Sequence, residues 1–217
     1  MGSVVSMLNI EKDENGGQQV NPWISVWLHP RKTVQFVVEF KTGKFVFLIA
    51  MLSGILLSFD LAVNDDLVAS WNITYILLFS LVVGPTVGVL GFYLISATYH
   101  LFSKMVGGNG TSEQTRKAFA VSEMILIVAG ILLILDLLIV GQTNDSSGHD
   151  LSVGQSTWLV ISSILNFVAG IWSTIAFIAA ISEVHRFSIW KATFVVFLPI
   201  IILILVSIVF FGLPFSS

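Results

Sequence analysis

Five long apolar stretches, separated by polar connections, run through this chain of 217 residues. A helix of about 20 apolar residues crosses the ~30 Å hydrocarbon core of a bilayer. Inside lipid every backbone polar group needs a partner, and a helix supplies these partners within the segment. The sequence therefore predicts an all-α integral membrane bundle of five transmembrane helices, at about residues 45–63, 71–102, 118–140, 157–181 and 192–211.

The composition agrees with a membrane protein. The chain is 55% hydrophobic and 11% charged, with a mean hydropathy of +0.92. It has too few polar residues to cover a soluble globule. The net charge of −3 offers no basic surface for phosphates, so we expect no nucleic-acid partner. The absence of cysteine excludes disulfides, thiolate metal sites and cysteine nucleophiles.

The basic residues indicate the orientation. When the chain is threaded alternately through a membrane, all ten fall on one side: Lys12, Arg31, Lys32, Lys41 and Lys44 before the first span, Lys104, Arg116 and Lys117 before the third, Arg186 and Lys191 before the fifth. Basic residues stay in the cytoplasm during insertion. We therefore expect a multi-pass protein with its N-terminus in the cytoplasm and its C-terminus outside.

The first 43 residues precede the first span. Residues 1–20 are polar and are expected to form a disordered cytoplasmic lead. Residues 21–43 are expected to form amphipathic interfacial helices, because Asn21-Pro22 is typical of a helix start and residues 32–40 give an apolar arc of ~200°. The predicted interfacial anchor consists of Trp23, Trp27, Arg31 and Lys32. A helix that caps the bundle is an equally good interpretation. Residues 44–217 form the predicted transmembrane domain.

Small residues mark one face of the second span. Gly84 and Gly88 have the spacing of a GxxxG motif, and Gly91 extends the same strip. Such strips allow two helix backbones to approach closely. Packing within the protein is the favoured interpretation, and a homodimer interface is left open. Pro85 could bend this helix, because proline removes a backbone donor.

Three acidic residues lie within predicted spans, namely Asp60, Glu123 and Asp136. Ionisable groups in a membrane are costly and are functional candidates by default. These acids could carry an ion or a proton. However, Glu123 and Asp136 are thirteen residues apart, or about 220° around an ideal helix. We therefore expect that they do not line one path.

The sequence carries only weak signals for a metal site and none for an enzyme active site. His100, Glu123, Glu183 and His185 lie near the inner ends of spans and are weak candidates for binding a divalent metal. Glu183 could instead pair with Arg186. Gly107–Gly110 lacks the Lys of a phosphate loop and is predicted to be a flexible turn. No nucleophile elbow or metalloprotease helix occurs. We therefore predict no catalytic residue, no cofactor and no enzyme activity.

Three stretches together resemble the Yip (Ypt-interacting protein) family in its bacterial form. The first is Asn21–Trp27 with Pro30–Thr33. The second is Gly84-Pro85 with His100, Gly107–Thr111 and Gln114-Thr115, and the third is Glu183–Ser188 with Lys191-Ala192. The resemblance implies a five-span protein of the bacterial cell membrane with a cytoplasmic N-terminus. Some bacterial relatives work beside ABC-type export systems in defence against antimicrobial peptides. The family offers no catalytic residues to transfer.

The leading hypothesis is a non-enzymatic membrane adaptor or regulator. Its expected partners are the lipid bilayer and other membrane proteins, such as an ABC-type exporter. The alternative is a small ion- or proton-coupled transporter that uses the intramembrane carboxylates.

Overall fold

The computed structural model describes residues 11–12, 18–19, 21–64, 71–140 and 151–209. The helices in these ranges are α1 Pro22–Leu28, α2 Pro30–Phe40, α3 Gly43–Asn64, α4 Ile73–Met105, α5 Ser112–Val140, α6 Val153–His185 and α7 Ile189–Ser207. Helices α3 to α7 are long and apolar enough to cross a membrane, which confirms the predicted fold class. A short antiparallel pair, β1 Glu11–Lys12 and β2 Gln18–Gln19, precedes α1.

Several helices extend beyond the predicted spans. Helix α5 begins at Ser112 rather than near residue 118, and α6 runs from Val153 to His185. Helix α4 has 33 residues and continues through Pro85. At 1.5 Å per residue it is about 50 Å long, more than the hydrocarbon core requires. The remainder of the predicted lead, the connections 65–70 and 141–150, and residues 210–217 lie outside the described residues.

The start of α1 follows its sequence signal. The Asn21 side chain accepts a hydrogen bond of 3.1 Å from the backbone N–H of Trp23, and Pro22 occupies the first helical position. Pro30 likewise begins α2. The Thr33 hydroxyl lies 3.0 Å from the backbone oxygen of His29 and 3.0 Å from the Ser25 hydroxyl. These contacts fix the angle between the two short helices, which together we call the cap.

The cap packs on one end of the bundle. Helix α2 contacts α5 and α6, and α1 contacts α5. Among the spans, α3 packs on α4 and α5, α5 packs on α6, and α7 packs on α6 and α4. The basic residues of α3 to α7 are Lys44, Lys104, Arg116, Lys117 and Lys191. They lie towards those helix ends that are on the same side of the bundle as the start of α5 and the end of α6, where the cap packs. We call this end of the bundle the cap end.

Helices α3 and α4 approach each other through glycine. A Cβ atom added to Gly54 would overlap the Gly84 carbonyl oxygen and the Gly88 Cα, and one added to Gly84 would lie 2.8 Å from the Ile55 Cα. Gly84 and Gly88 therefore pack against α3 of the same protein, which confirms the favoured interpretation. A homodimer, which the sequence left open, would need other surfaces.

The flanks of the bundle are apolar and exposed. Leu90, Leu94 and Leu138 are each at least two-thirds exposed, and every described residue of α7 after Pro199 is exposed. A water-soluble monomer rarely shows apolar patches of this extent. These surfaces are suited to contact with lipid chains.

The glycine contact generates a paired test on α4. Gly88→Ala should lower the stability of the purified protein by about 1–3 kcal/mol, because the new methyl group must displace the α3 backbone. Gly91→Ala, three residues further along the helix, should leave stability unchanged or slightly higher, because its Cβ would have nothing within 4 Å. Thermal unfolding in detergent measures both variants. Equal behaviour of the two would contradict the described contact.

Candidate functional site

The cap is attached by its buried face. Val26, Val34 and Val37 are fully buried and join a core cluster with residues of α5, α6 and α7. Two polar contacts reinforce this packing. The Lys117 ammonium of α5 donates to the Val38 carbonyl oxygen at 3.1 Å, and the Gln35 amide donates to the Glu183 carboxylate at 2.7 Å. The structure therefore supports the interpretation of this segment as a cap on the bundle.

The predicted interfacial anchor has two different parts. Trp23 and Trp27 are partly buried and pack against the bundle core. Arg31 and Lys32 are exposed. Contact of these two cations with lipid head groups remains a prediction.

At the cap end, a group of buried polar contacts surrounds His185, the last residue of α6. Its imidazole is fully buried. The Gly110 N–H donates to its Nδ1 at 3.2 Å, and the Asn109 N–H donates to its backbone carbonyl at 3.2 Å. The Phe187 ring stacks on the imidazole with 5.6 Å between ring centroids. The loop between α4 and α5 is thereby joined to the turn between α6 and α7.

Thr115 of α5 completes this contact. Its hydroxyl donates to the Thr111 carbonyl at 2.9 Å and lies 3.0 Å from His185 Nε2. Because the single hydroxyl proton is used, the Thr115 oxygen accepts from Nε2–H, which assigns the His185 proton to Nε2. His100 Nδ1 lies 3.1 Å from the same oxygen. We call these residues the His185 junction: His100, Gly108, Gly110, Thr115 and His185.

Glycine is required where the loop passes the imidazole. A Cβ on Gly108 would lie 2.5 Å from His185 Nδ1 and 2.8 Å from the Ser103 carbonyl oxygen. One on Gly110 would lie 2.9 Å from the Val184 carbonyl oxygen. The turn predicted at Gly107–Gly110 is present between α4 and α5, and its missing side chains allow close packing around a buried ring. Its flexibility stays a prediction.

The four weak metal candidates do not converge. His100 and His185 meet at Thr115, Glu183 is bonded to Gln35, and Glu123 lies in a separate cavity. No group of three His, Cys, Asp or Glu side chains that could hold a metal ion occurs in the part of the chain that the structure describes. The described residues therefore do not fit a protein-bound metal centre.

A cavity of about 720 Å³ lies between α3, α4, α5 and α6. Its wall is mainly apolar, with residues such as Leu57, Phe92 and Leu133. Its polar lining consists of Ser53, Asp60, Glu123, Asp136, Ser162, Ser163 and Asn166. All three intramembrane acids that the sequence singled out therefore line one cavity.

This placement corrects the expectation that Glu123 and Asp136 do not line one path. Their separation of 220° is only 140° measured the other way round the helix, and the cavity-lining residues of α5 cover an arc of about 180°. The two carboxylates are about 20 Å apart along the axis at 1.5 Å per residue. The cavity is wide enough to wrap half of α5 and long enough to reach both.

The two acids of α5 have different surroundings. Asp136 accepts hydrogen bonds of 2.7 Å from the Trp158 indole N–H and of 2.7 Å from the Ser162 hydroxyl, so it joins α5 to α6. Glu123 makes no ion pair with a described residue. The Ser53 hydroxyl of α3 is buried beside it and finds no partner with good hydrogen-bond geometry among the described residues. Asp136 therefore accepts structural hydrogen bonds, and Glu123 is a half-buried acid without a counterion among the described residues.

Sequence reasoning missed several residues that these two sites use. Thr115, Ser53 and Trp158 belong to no recognised motif in the sequence. A signal was available for Trp158, since a buried indole N–H usually finds a partner and Asp136 needed donors.

One of the three comparisons with known proteins gives a match. A family model described as the Yip1 domain matches residues 24–211. The match begins in α1, runs through all five spans and includes both the His185 junction and the cavity. No curated protein and no solved structure matches the chain at a significant level.

The role of the His185 junction can be tested with an isosteric pair. Thr115→Val removes the oxygen that serves both histidines and should cost about 1–3 kcal/mol of stability, because the buried His185 N–H loses its acceptor. Thr193→Val is the matched control: its hydroxyl bonds only to the Ile189 carbonyl of its own helix and is exposed. Thermal unfolding should separate the two variants. A control as unstable as Thr115→Val would contradict the assigned role.

Proposed function

Since this chain belongs to the Yip1 domain family, we propose that it is a non-enzymatic integral membrane adaptor or regulator. Five helices of the described ranges, α3 to α7, are apolar and long enough to make it a multi-pass membrane protein. The observation that carries the proposal is the cap, whose inner face packs on the bundle and whose outer face is exposed.

The exposed surface of the cap is both apolar and basic. We call it the cap face: Ile24, Leu28, Arg31, Lys32 and Phe40. Leu28 is 65% exposed and Phe40 62% exposed, although both neighbour fully buried valines. Exposed large apolar side chains beside charges are typical of an interaction surface. The rigid inner attachment means that a partner would pay little ordering entropy to bind this face.

The proposed setting is a bacterial cell membrane with the cap in the cytoplasm and the C-terminus outside. The cap end collects the basic helix ends, and this supports the orientation through the positive-inside rule. The proposed partner is an ABC-type exporter that acts in defence against antimicrobial peptides. The resemblance to bacterial relatives supports this choice of partner.

A second candidate function is an ion- or proton-coupled transporter. The specific observation in its favour is that Asp60, Glu123 and Asp136 line one cavity within the spans. A transporter needs a carboxylate that loads and releases charge near the membrane interior. The adaptor needs the acids only for packing and hydrogen bonding.

The orientation can be measured by labelling. The chain has no native cysteine. A cysteine in place of Ser147 should react with an impermeant thiol reagent in intact cells, and one in place of Ser112, at the start of α5, should react only after permeabilisation. The reverse pattern would overturn the proposed sides.

A crossed set of variants separates the adaptor from the transporter. Leu28→Ser with Phe40→Ser should abolish peptide resistance and co-purification of the exporter, because it removes the apolar part of the cap face. Glu123→Gln and Asp136→Asn should retain both, because each side chain keeps hydrogen-bonding groups of nearly the same shape. Peptide susceptibility of complemented deletion cells gives the first readout, and quantitative mass spectrometry gives the second.

The control for the cap-face variant is Thr157→Val, which also alters an exposed residue but lies outside the cap. Surface substitutions of this kind typically change stability by less than about 0.5 kcal/mol, so normal expression is expected. Loss of resistance in the acid variants, with exporter binding intact, would refute the adaptor and favour the transporter. Retained resistance in the cap-face variant would refute the adaptor as well.

A further inference from the structure

The cavity between α3, α4, α5 and α6 has the dimensions of a ligand site. Its volume of about 720 Å³ falls within the range of roughly 300–1,000 Å³ that is usual for small-molecule pockets. Most of its wall is apolar, and its polar groups are few and separated. This combination suits a molecule with a large apolar body and a small number of polar atoms.

The charged residues that line the cavity indicate which sign of charge the ligand carries. Asp60, Glu123 and Asp136 line the cavity, and no Lys, Arg or His does so among the residues at 21–64, 71–140 and 151–209. An anion would meet carboxyl groups and no cationic side chain among these lining residues. A neutral lipid chain would fill the apolar wall but would leave the carboxyl groups that line the cavity in a drier environment, which costs free energy.

Glu123 makes no ion pair with a described residue. Its side chain is half-buried at the cavity wall, and the Ser53 hydroxyl beside it is buried without a well-aligned partner. An acid without a counterion next to a poorly satisfied hydroxyl is unfavourable within a membrane bundle, and such a group is a candidate functional site. A positive group placed between Glu123 and the cavity would supply the missing partner.

The cavity is open towards the flank of the bundle. Leu57, Val87 and Ile95 all line it, and they are 54%, 50% and 45% exposed. This flank is apolar, so a molecule that already partitions into the bilayer reaches the cavity without crossing the polar cap end. A bare metal ion or a hydrophilic amine would not follow this route.

We propose that this cavity is a binding site for a lipophilic organic cation, with its positive centre at Glu123 and its apolar body against α3, α4 and α5. A metal ion fits poorly because no three potential ligands converge in the described segments. The proposal goes beyond an adaptor function and does not depend on it. Asp136, held by Trp158 and Ser162, contributes a second negative charge about 20 Å along the same helix.

The test uses two probes of the same shape and opposite charge, tetraphenylphosphonium and tetraphenylborate. The full-length protein is placed in lipid nanodiscs, and empty nanodiscs give the background from partitioning. Radiolabelled tetraphenylphosphonium should show saturable binding above this background, and tetraphenylborate should show none. Saturable binding of both ions, or of neither, would overturn the proposal.

Two variants address the site from different directions. Glu123→Gln removes the charge and should weaken tetraphenylphosphonium binding about tenfold or more, since a buried charge loses its partner. Gly91→Leu keeps all three acids and should also weaken binding, because its side chain enters open space in the cavity wall. Glu39→Gln is the control: it makes the same chemical change at an exposed position of α2, away from this cavity.

The two variants keep the outcome decisive. If Glu123→Gln does not fold, Gly91→Leu still tests the cavity, because nothing lies within 4 Å of a Cβ at Gly91. Binding of wild-type strength in Gly91→Leu places the cation elsewhere and refutes the proposed site. So does an equal loss in Glu39→Gln and Glu123→Gln.

Discussion

Burial of the His185 imidazole is the constraint on which the cap end depends. A fully buried ring with two nitrogens must have both satisfied, and here a glycine N–H serves Nδ1 and a threonine oxygen serves Nε2. Those two partners come from the loop before α5 and from its first turns. The ring therefore fixes α5 against α6, and these two helices provide the surface on which α2 packs.

The bundle combines very close packing with a large opening. Gly54 and Gly88 bring the α3 and α4 backbones into direct contact, yet both also border the cavity that Glu123 lines. Interiors normally fill such space with side chains. Here the cavity stays open beside Glu123, and Glu123 has no counterion among the described residues. Two departures from ordinary packing therefore occur at the same place. Departures of this kind are expected where a protein keeps a site for function.

The sequence predicted the helices well, but it did not predict which helices contact each other. Apolar length located all five spans, and Asn21-Pro22 located the start of α1, because both signals are local. The partner of the glycine strip, Gly54, could not be predicted, since it depends on which helix lies opposite. The same limit explains the error for Glu123 and Asp136. A helical wheel gives the angle between two side chains, and only neighbouring helices decide how wide a cavity is.

The contacts of the cap also imply an order of assembly. Helices α3 and α4 share their glycine contact without help from any other span, so this hairpin can form as soon as both segments are in the membrane. The cap cannot be placed so early. Its buried valines need α5 and the end of α6, and the junction at His185 joins α6 to α5 only after α6 is complete. The cap therefore precedes the described spans in the chain but can pack only after later spans are in place.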